Sequence, residues 1–341
     1  MGKQTKIYII ILVFVLYFFG MQGVTKAAVQ PDLNFYKGKL VTYIVATKPG
    51  GGYDTYARLI GKYLQKYLPG STVIINNVPG AGHIIGANTL YKAAPDGLTI
   101  GTFNTGLIYS QIVGQEGIQF DLRKFSWIGK ASSETRVFIV GTKAPYRTFK
   151  DILESKEPIK MPSSGVGSQD HNETMILAYA LGAKFQPVPG YAGKEGEMAI
   201  IRGEVPATIG SYTGLIGMIK AKECRVLLQF GAKRTHAGLE NVPHISELKV
   251  SPTGKALINL VNNVDLIGRL TVAPPNVPVA RLEALRYAYK KTLTDPDFRK
   301  EAEKLGLDID PAYGDEVKKM VLDALNQPPE NLKLLKSIIS Q

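Results

Sequence analysis

From residue 39 to residue 103 the chain repeats one pattern, an apolar β-rich run, a glycine-containing loop, and apolar residues at helical spacing. Leu40 to Ala46 is followed by such a loop and then by Tyr56, Ala57, Ile60, Leu64 and Leu68, closed by Pro69-Gly70. Thr72 to Ile75 reads as the next strand, Pro79-Gly80-Ala81-Gly82 as a turn, His83 to Ala93 as a helix, Pro95-Asp96-Gly97 as a turn, and Leu98 to Phe103 as a third strand. This βαβαβ order specifies an α/β fold with a mostly parallel sheet. A second series runs from a strand at Arg136 to Val140 through Ile159-Lys160-Met161, a Ser/Gly loop and a helix from Gln169 to Leu181. Strands near Val188, Val205 to Ile209 and Val226 to Phe230 complete a second α/β lobe. Helices are expected at Val279 to Thr294, Asp297 to Leu305, Asp315 to Leu325 and Pro329 to Ile339, packed back on the first lobe.

Lobe one is expected from residues 33–133 plus 233–341 and lobe two from 134–232. Ahead of them, Lys3 and Lys6 precede an unbroken apolar run from Ile7 to Phe19, then Gly20, Gln22, Gly23 and Thr25-Lys26-Ala27. That is the layout of a secretory signal peptide, and the run is shorter than the roughly 20 residues a membrane helix needs. Residues 1–27 therefore read as an export signal to the periplasm, cleaved after Ala27 rather than kept as an anchor. Without them the 341-residue chain still has room for two lobes at roughly 150 residues each. Cys224 is the only cysteine, so no intramolecular disulfide is possible, and no cysteine follows the apolar run to take a lipid.

The net charge of +12, or +9 without Lys3, Lys6 and Lys26, favours anionic ligands or surfaces. Nucleic acid is excluded because the basic residues are interleaved with acids, as in Lys233-Arg234 followed by Glu240, without a basic stripe carrying aromatics.

Two loops can hold an anion. Lys48-Pro49-Gly50-Gly51-Gly52-Tyr53-Asp54 lies between a strand and a helix, with Asp54 or Thr55 as the expected N-cap. Consecutive glycines let backbone N–H groups approach a ligand, and the helix start beyond them favours negative charge. An ordinary tight turn fits the same residues. Ser163-Ser164-Gly165-Val166-Gly167-Ser168-Gln169 occupies the equivalent place in the second lobe. Facing loops of this kind would hold a small dianion through helix termini, N–H groups and hydroxyls such as Ser164 and Ser168 rather than through buried Lys or Arg. Lys48 is either a direct counter-ion or a solvated loop residue.

Catalytic readings fail on spacing. Gly80-Ala81-Gly82 with Gly86 is one residue too long for a dinucleotide loop, and Gly165 and Gly167 lack the Gly-Lys-Ser/Thr ending of a P-loop. The four histidines, His83, His171, His236 and His244, have no second histidine or cysteine at metal-ligand spacing. There is no Gly-x-Ser-x-Gly elbow, and Ser168, Asp170 and His171 point in different directions on a helix. His171 either touches ligand or closes the cleft wall. No cofactor and no metal are expected.

Seven segments taken in order carry a family resemblance. They are Pro49-Gly50-Gly51-Gly52-Tyr53-Asp54 with Ala57-Arg58, Asn77-Val78-Pro79-Gly80-Ala81-Gly82, Ala93-Ala94-Pro95-Asp96-Gly97, Gly165-Val166-Gly167-Ser168, Gly190-Tyr191-Ala192-Gly193, Arg202-Gly203-Glu204-Val205 and Asp295-Pro296-Asp297-Phe298. Together they resemble the solute receptors of tripartite tricarboxylate transporters, the Bug family. Thr47-Lys48-Pro49 replaces the aromatic-Pro-Pro start common in that family, and Pro206 stands where an acid usually follows, which bears on ligand identity.

The resemblance implies an α/β two-lobe periplasmic binding protein fold of type II, with two crossovers and hinge closure, and no catalysis. It implies a small organic acid ligand, a di- or tricarboxylate or an aromatic carboxylate, and the membrane permease subunits of such a transporter as partner. Carried over by position, the ligand-binding residues are Gly51, Gly52, Tyr53 and Asp54, then Asn104 and Thr105, then Ser164, Gly165, Ser168 and His171, with Tyr191 as a wall. Tyr53, Tyr56 and Tyr191 serve either a ring-bearing ligand or lobe packing. A monomer is expected. The cleft residues leave open a sensor of the same fold that reports to a membrane histidine kinase.

Overall fold

Strand β1 (Leu40–Val45) is buried along most of its length and is flanked by two parallel neighbours, β2 (Thr72–Asn77) and β3 (Thr99–Thr102), with Thr42 in register with Ile74 on one side and Thr99 on the other. The computed structural model describes residues 29–191, 194–235 and 238–339. The expected export signal and His236 lie outside these residues, and among the described ones no helix is long and apolar enough to cross a membrane.

The connections are α1 (Gly52–Tyr67) and α2 (Ile84–Lys92). Helix α1 buries Tyr53, Tyr56, Ala57, Ile60 and Leu64 and exposes Arg58, Lys62 and Lys66, each one turn from the next, as an amphipathic helix on a sheet must. Helix α3 (Leu107–Val113) and strand β4 (Ser126–Lys130) follow.

The rest of the first sheet is antiparallel, which corrects the expectation of a mostly parallel one. Strand β10 (Leu270–Ala273) inserts between β3 and β4, and β11 (Ala312–Tyr313) pairs with the outer edge of β4, giving the order β11-β4-β10-β3-β1-β2. The local βαβαβ pattern fixes only the half of the sheet whose strands are joined by helices. In the other half β4 follows β3 after α3, whereas β10 and β11 come from chain that returns far downstream and run antiparallel to β4.

The second lobe contains β5 (Thr135–Gly141), α4 (Phe149–Leu153), β6 (Ile159–Ser163), α5 (Gln169–Leu181), β7 (Phe185–Pro189), α6 (Glu195–Arg202), β8 (Ala207–Ser211), α7 (Tyr212–Lys220) and β9 (Cys224–Gly231). β5 is buried throughout and sits between β8 and β9, antiparallel to both, while β6 and β7 form a parallel pair. A helix absent from the sequence reading, α8 (Pro252–Ile267), packs against α5, β9 and a helix of the C-terminal series. That series is α9 (Val279–Thr294), α10 (Pro296–Lys304), α11 (Asp315–Leu325) and α12 (Pro329–Ile339). α9 packs on α1 and β4, α11 packs on β4 and α8, and α12 touches both α3 and α5.

The chain passes between the six-stranded sheet and the second lobe at Ala131–Glu134 and again at Gly268–Arg269, and the two passages are hydrogen-bonded to each other. Ala131 N donates to Arg269 O and Arg269 N to Ser132 O, both at 2.8 Å, and Glu134 N donates to Asp265 O at 2.9 Å. Gly268 has φ +58°, and a Cβ there would lie 1.9 Å from Ser132 O, so glycine is what allows the strands this close.

Candidate functional site

A cavity of about 270 Å³ opens where the two lobes face each other. On the six-stranded side its wall is Tyr53, His83 and Asn104, which follow β1, β2 and β3. These are the carboxyl ends of the parallel strands, where open α/β sheets bind ligands. The other wall begins at Arg136 on β5 and continues through Ser164 after β6, Gln169 and Asp170 in the first turn of α5, and Tyr191 after β7. It also takes in Glu197 in the first turn of α6, and Ser211, Gly214 and Leu215 at the start of α7. Helices α1, α5, α6 and α7 thus all begin at the cavity. The N–H groups and aligned dipoles of helix starts favour an anion in such a place.

Both anion-competent loops are braced by an aspartate from the helix that follows. Asp54 Oδ2 accepts from Gly50 N at 2.9 Å and from Arg58 Nε at 2.8 Å, and Oδ1 accepts from Asn77 Nδ2 at 2.9 Å. Burial would raise the pKa of Asp54, but these hydrogen bonds and the Arg58 charge outweigh it and hold the carboxyl below its usual range. Asp170 Oδ2 accepts from Ser164 N at 2.8 Å and from Ser164 Oγ at 2.9 Å. The expected N-cap at Asp54 or Thr55 is corrected, because α1 starts at Gly52 with Gly51 as its N-cap, and Asp54 sits inside the first turn. With no Cβ, Gly51 and Gly52 let the helix begin earlier than the capping residues suggested.

Of the residues selected from the sequence, Tyr53, Asn104, Ser164 and Tyr191 stand on the cavity wall. Gly51, Gly52, Asp54, Thr105, Gly165, Ser168 and His171 do not. Gly51 is exposed, and Gly52 backs onto the Arg269 guanidinium. Thr105 is fully buried beside the site. Ser168 spends its hydroxyl inside its own loop, donating to Gly165 O at 2.6 Å. His171 is buried in α5, and Lys48 is exposed away from the wall.

The sequence reading did not select the wall residues His83, Arg136, Gln169, Asp170, Glu197, Ser211, Gly214 and Leu215. One signal was available, since an arginine at the head of the buried strand Thr135–Gly141 demands partners. Burial lowers the His83 pKa to about 4, leaving the ring neutral near pH 7. Burial raises the Tyr53 phenol, which stays protonated with Arg269 stacked 4.2 Å from its ring centroid.

Behind the wall, and reaching it at Arg136 and Gln169, lies a charge cluster with two buried arginines, beside a cleft where helix termini, N–H groups and hydroxyls were expected to hold the ligand. Arg136 Nε lies 2.6 Å from Glu173 Oε2 and 3.9 Å from Asp265 Oδ1, and Arg269 Nη2 lies 3.2 Å from Glu134 Oε1. Gln169 Nε2 donates to Glu173 Oε1 at 2.5 Å and to Asp265 Oδ1 at 2.9 Å. All six side chains are buried. Three carboxylates face two guanidiniums, and the imbalance is met by a proton: burial raises the Glu173 pKa to about 7 and that of Asp265 well above its usual value. The cluster ties β5, α5 and the second crossover together directly beneath the cavity.

The sequence model of the tripartite tricarboxylate transporter family receptor matches residues 56–335. The chain belongs to this family. A relative from Pseudomonas sp. (strain P51), the UPF0065 protein in the tcbD-tcbE intergenic region, is 26% identical over 279 residues, covering 81% of this chain and 80% of the relative. Among solved structures, the periplasmic binding protein BugD matches with TM-score 0.71 and 20% identity over 89% of this chain and 98% of its own. MatC from Rhodopseudomonas palustris with bound malate matches with TM-score 0.69 and 19% identity over 88% and 99%. The family receptor is therefore a two-lobe α/β binding protein, and its family is one of solute receptors rather than an enzyme class.

Proposed function

We propose that this protein is exported to the periplasm by residues 1–27, captures a small organic anion bearing a carboxylate between its lobes, and delivers it to the permease subunits of a tripartite tricarboxylate transporter. The observation that carries the reading is the convergence of four helix starts on one interlobe cavity, an arrangement suited to an anion. Its volume of about 270 Å³ corresponds to roughly nine waters, room for a ligand of malate size. MatC, of the same fold, holds malate. We divide the chain at the paired crossovers into lobe one, residues 33–133 plus 268–341, and lobe two, residues 134–267, which moves the second boundary from the expected 233, and the lobes close about those crossovers.

The test is thermal unfolding of the mature protein against mono-, di- and tricarboxylates, aliphatic and aromatic. At about 100 times the dissociation constant a ligand adds roughly 2.7 kcal/mol of stability. A shift confined to one class of carboxylate supports the reading, and none from any class refutes it. Scattering profiles that are identical with and without a saturating ligand would refute closure alone.

A further inference from the structure

Arg136 is set apart from the other charged groups on the cavity wall because its charge is paired behind the wall while its terminal nitrogens make no hydrogen bond. The Asp170 carboxylate is held by the Ser164 N–H and hydroxyl, and Glu197 lies 3.0 Å from Lys194. Arg136 is 5% exposed and lines the cavity. Its Nε is turned to Glu173 Oε2 at 2.6 Å, and Nη1 stands 3.7 Å from Glu134 Oε1, beyond hydrogen-bond reach. Nη2 has no ion-pair or hydrogen-bond partner among the described residues. A guanidinium has five N–H donors: Nε is buried and held to Glu173 by the ion pair without a hydrogen bond, whereas Nη1 and Nη2 are not among the sealed-off atoms that lack a partner, as nitrogens open to the cavity would not be.

A second observation points to the same spot. In the β5–β8 register Arg136 is opposite Ser211, the N-cap of the nine-residue helix α7. The Ser211 side chain caps no N–H of that helix; its hydroxyl instead accepts from Arg269 Nη2 at 2.8 Å. The N–H groups of Thr213 and Gly214 in the first turn of α7 are therefore left open beside the arginine fork, and Gly214 stands on the cavity wall without a side chain to cover them.

We propose that Arg136 is the anchoring residue for a ligand carboxylate, which it grips with its terminal nitrogens while the open N–H groups of α7 meet the same carboxylate. Glu173 and Asp265 lie behind the guanidinium and hold its fork towards the cavity while no ligand is bound. The ligand end seated here is planar and accepts two parallel hydrogen bonds, as a carboxylate does and a neutral amide does not. The inference rests on the carboxylate reading of the cleft.

The experiment measures malate and adipate affinity by calorimetry for the wild type, Arg136→Lys and the double variant Arg136→Gln/Glu173→Gln. The double variant removes the guanidinium together with the carboxyl that faces its Nε, so neither group is left without the other. Loss of the fork should weaken binding about tenfold in Arg136→Lys and about a hundredfold in the double variant. Binding by either folded variant within about threefold of the wild type overturns the anchor. If the double variant does not fold, Arg136→Lys, which keeps the charge beside Glu173, decides. A wild type that binds neither probe nor any other carboxylate overturns the carboxylate reading, and the anchor falls with it. A wild type that binds while both variants match it overturns the anchor alone.

Discussion

Replacing Glu173 by glutamine should change how stability responds to pH more than it changes stability itself. Glu173 is completely buried, and burial raises its pKa to about 7, against roughly 4.3 for a glutamate in an unfolded chain. The folded state therefore holds a proton that the unfolded state releases across the window from about pH 4 to 7. The stability this proton confers is fully present below the unfolded pKa and is lost as pH rises through the folded one. Linkage over that shift puts the loss between pH 5 and pH 8 at about 2–3 kcal/mol.

Glutamine at 173 keeps the shape, can still hydrogen-bond Gln169, and cannot titrate. It also removes the charge that helps to raise Asp265, so that group's contribution to the slope shrinks as well. The assay is the unfolding midpoint of wild type and variant from pH 5 to 8 in matched ionic strength. At about 2 °C per kcal/mol for a chain of this length, the variant should gain about 4–6 °C on the wild type across the range, whatever their difference at pH 5. Parallel curves, with a difference constant to about 1 °C, would mean that Glu173 does not carry the shared proton, and the account of the cluster would fail.

Two further substitutions probe what frames the cavity. Asp54→Asn removes the charge that braces Gly50 and Arg58; because the Asp54 pKa is held low, the brace is present at neutral pH and fades below about pH 4. The variant should therefore lose about 1–3 kcal/mol at pH 7 and much less at pH 3, and an equal loss at both, read by denaturant midpoints, would show that the carboxylate charge is irrelevant to the loop. Gly268→Ala places a Cβ 1.9 Å from Ser132 O at a left-handed φ of +58°, so the paired crossovers must separate; unfolding midpoints should register a loss of more than about 2 kcal/mol, and a variant as stable as the wild type would show that the crossovers tolerate separation.

The C-terminal helices were legible because their punctuation is local. Asp295 accepts from Asp297 N and Phe298 N as the cap ahead of Pro296, and Gln327-Pro328-Pro329 breaks α11 from α12. Helix α8 carried an equally good start, with Ser251 accepting from Gly254 N ahead of Pro252, but Pro252-Thr253-Gly254 also reads as a turn. Half of the first sheet was illegible for a different reason, since no local pattern says that Leu270–Ala273 returns antiparallel between β3 and β4. The same holds for the site. Tyr53 and Ser164 were found because each belongs to a glycine- or serine-rich loop between a strand and a helix, whereas Arg136 and Ser211 come together only through the pairing of β5 with β8, strands separated in the chain by α4, β6, α5, β7 and α6.

The residues that were selected but stand off the wall still shape the cavity. Asp54, Gly165 and Ser168 spend their polar atoms within the two loops, so the backbone amides of those loops are fixed before any ligand arrives. The two lobes solved this in the same way, with an aspartate in the first turn reaching back to an N–H at the loop's start, Gly50 in one and Ser164 in the other. A carboxylate placed there neutralises part of the positive field of its own helix, which weakens the pull on an anion. The gain is rigidity: an anion that meets dipoles already in place spends less of its binding energy on ordering them. If the cleft holds an anion as proposed, specificity comes from groups that are not locked into the loops, among them Arg136 and the Tyr53 hydroxyl, which has no hydrogen-bond partner.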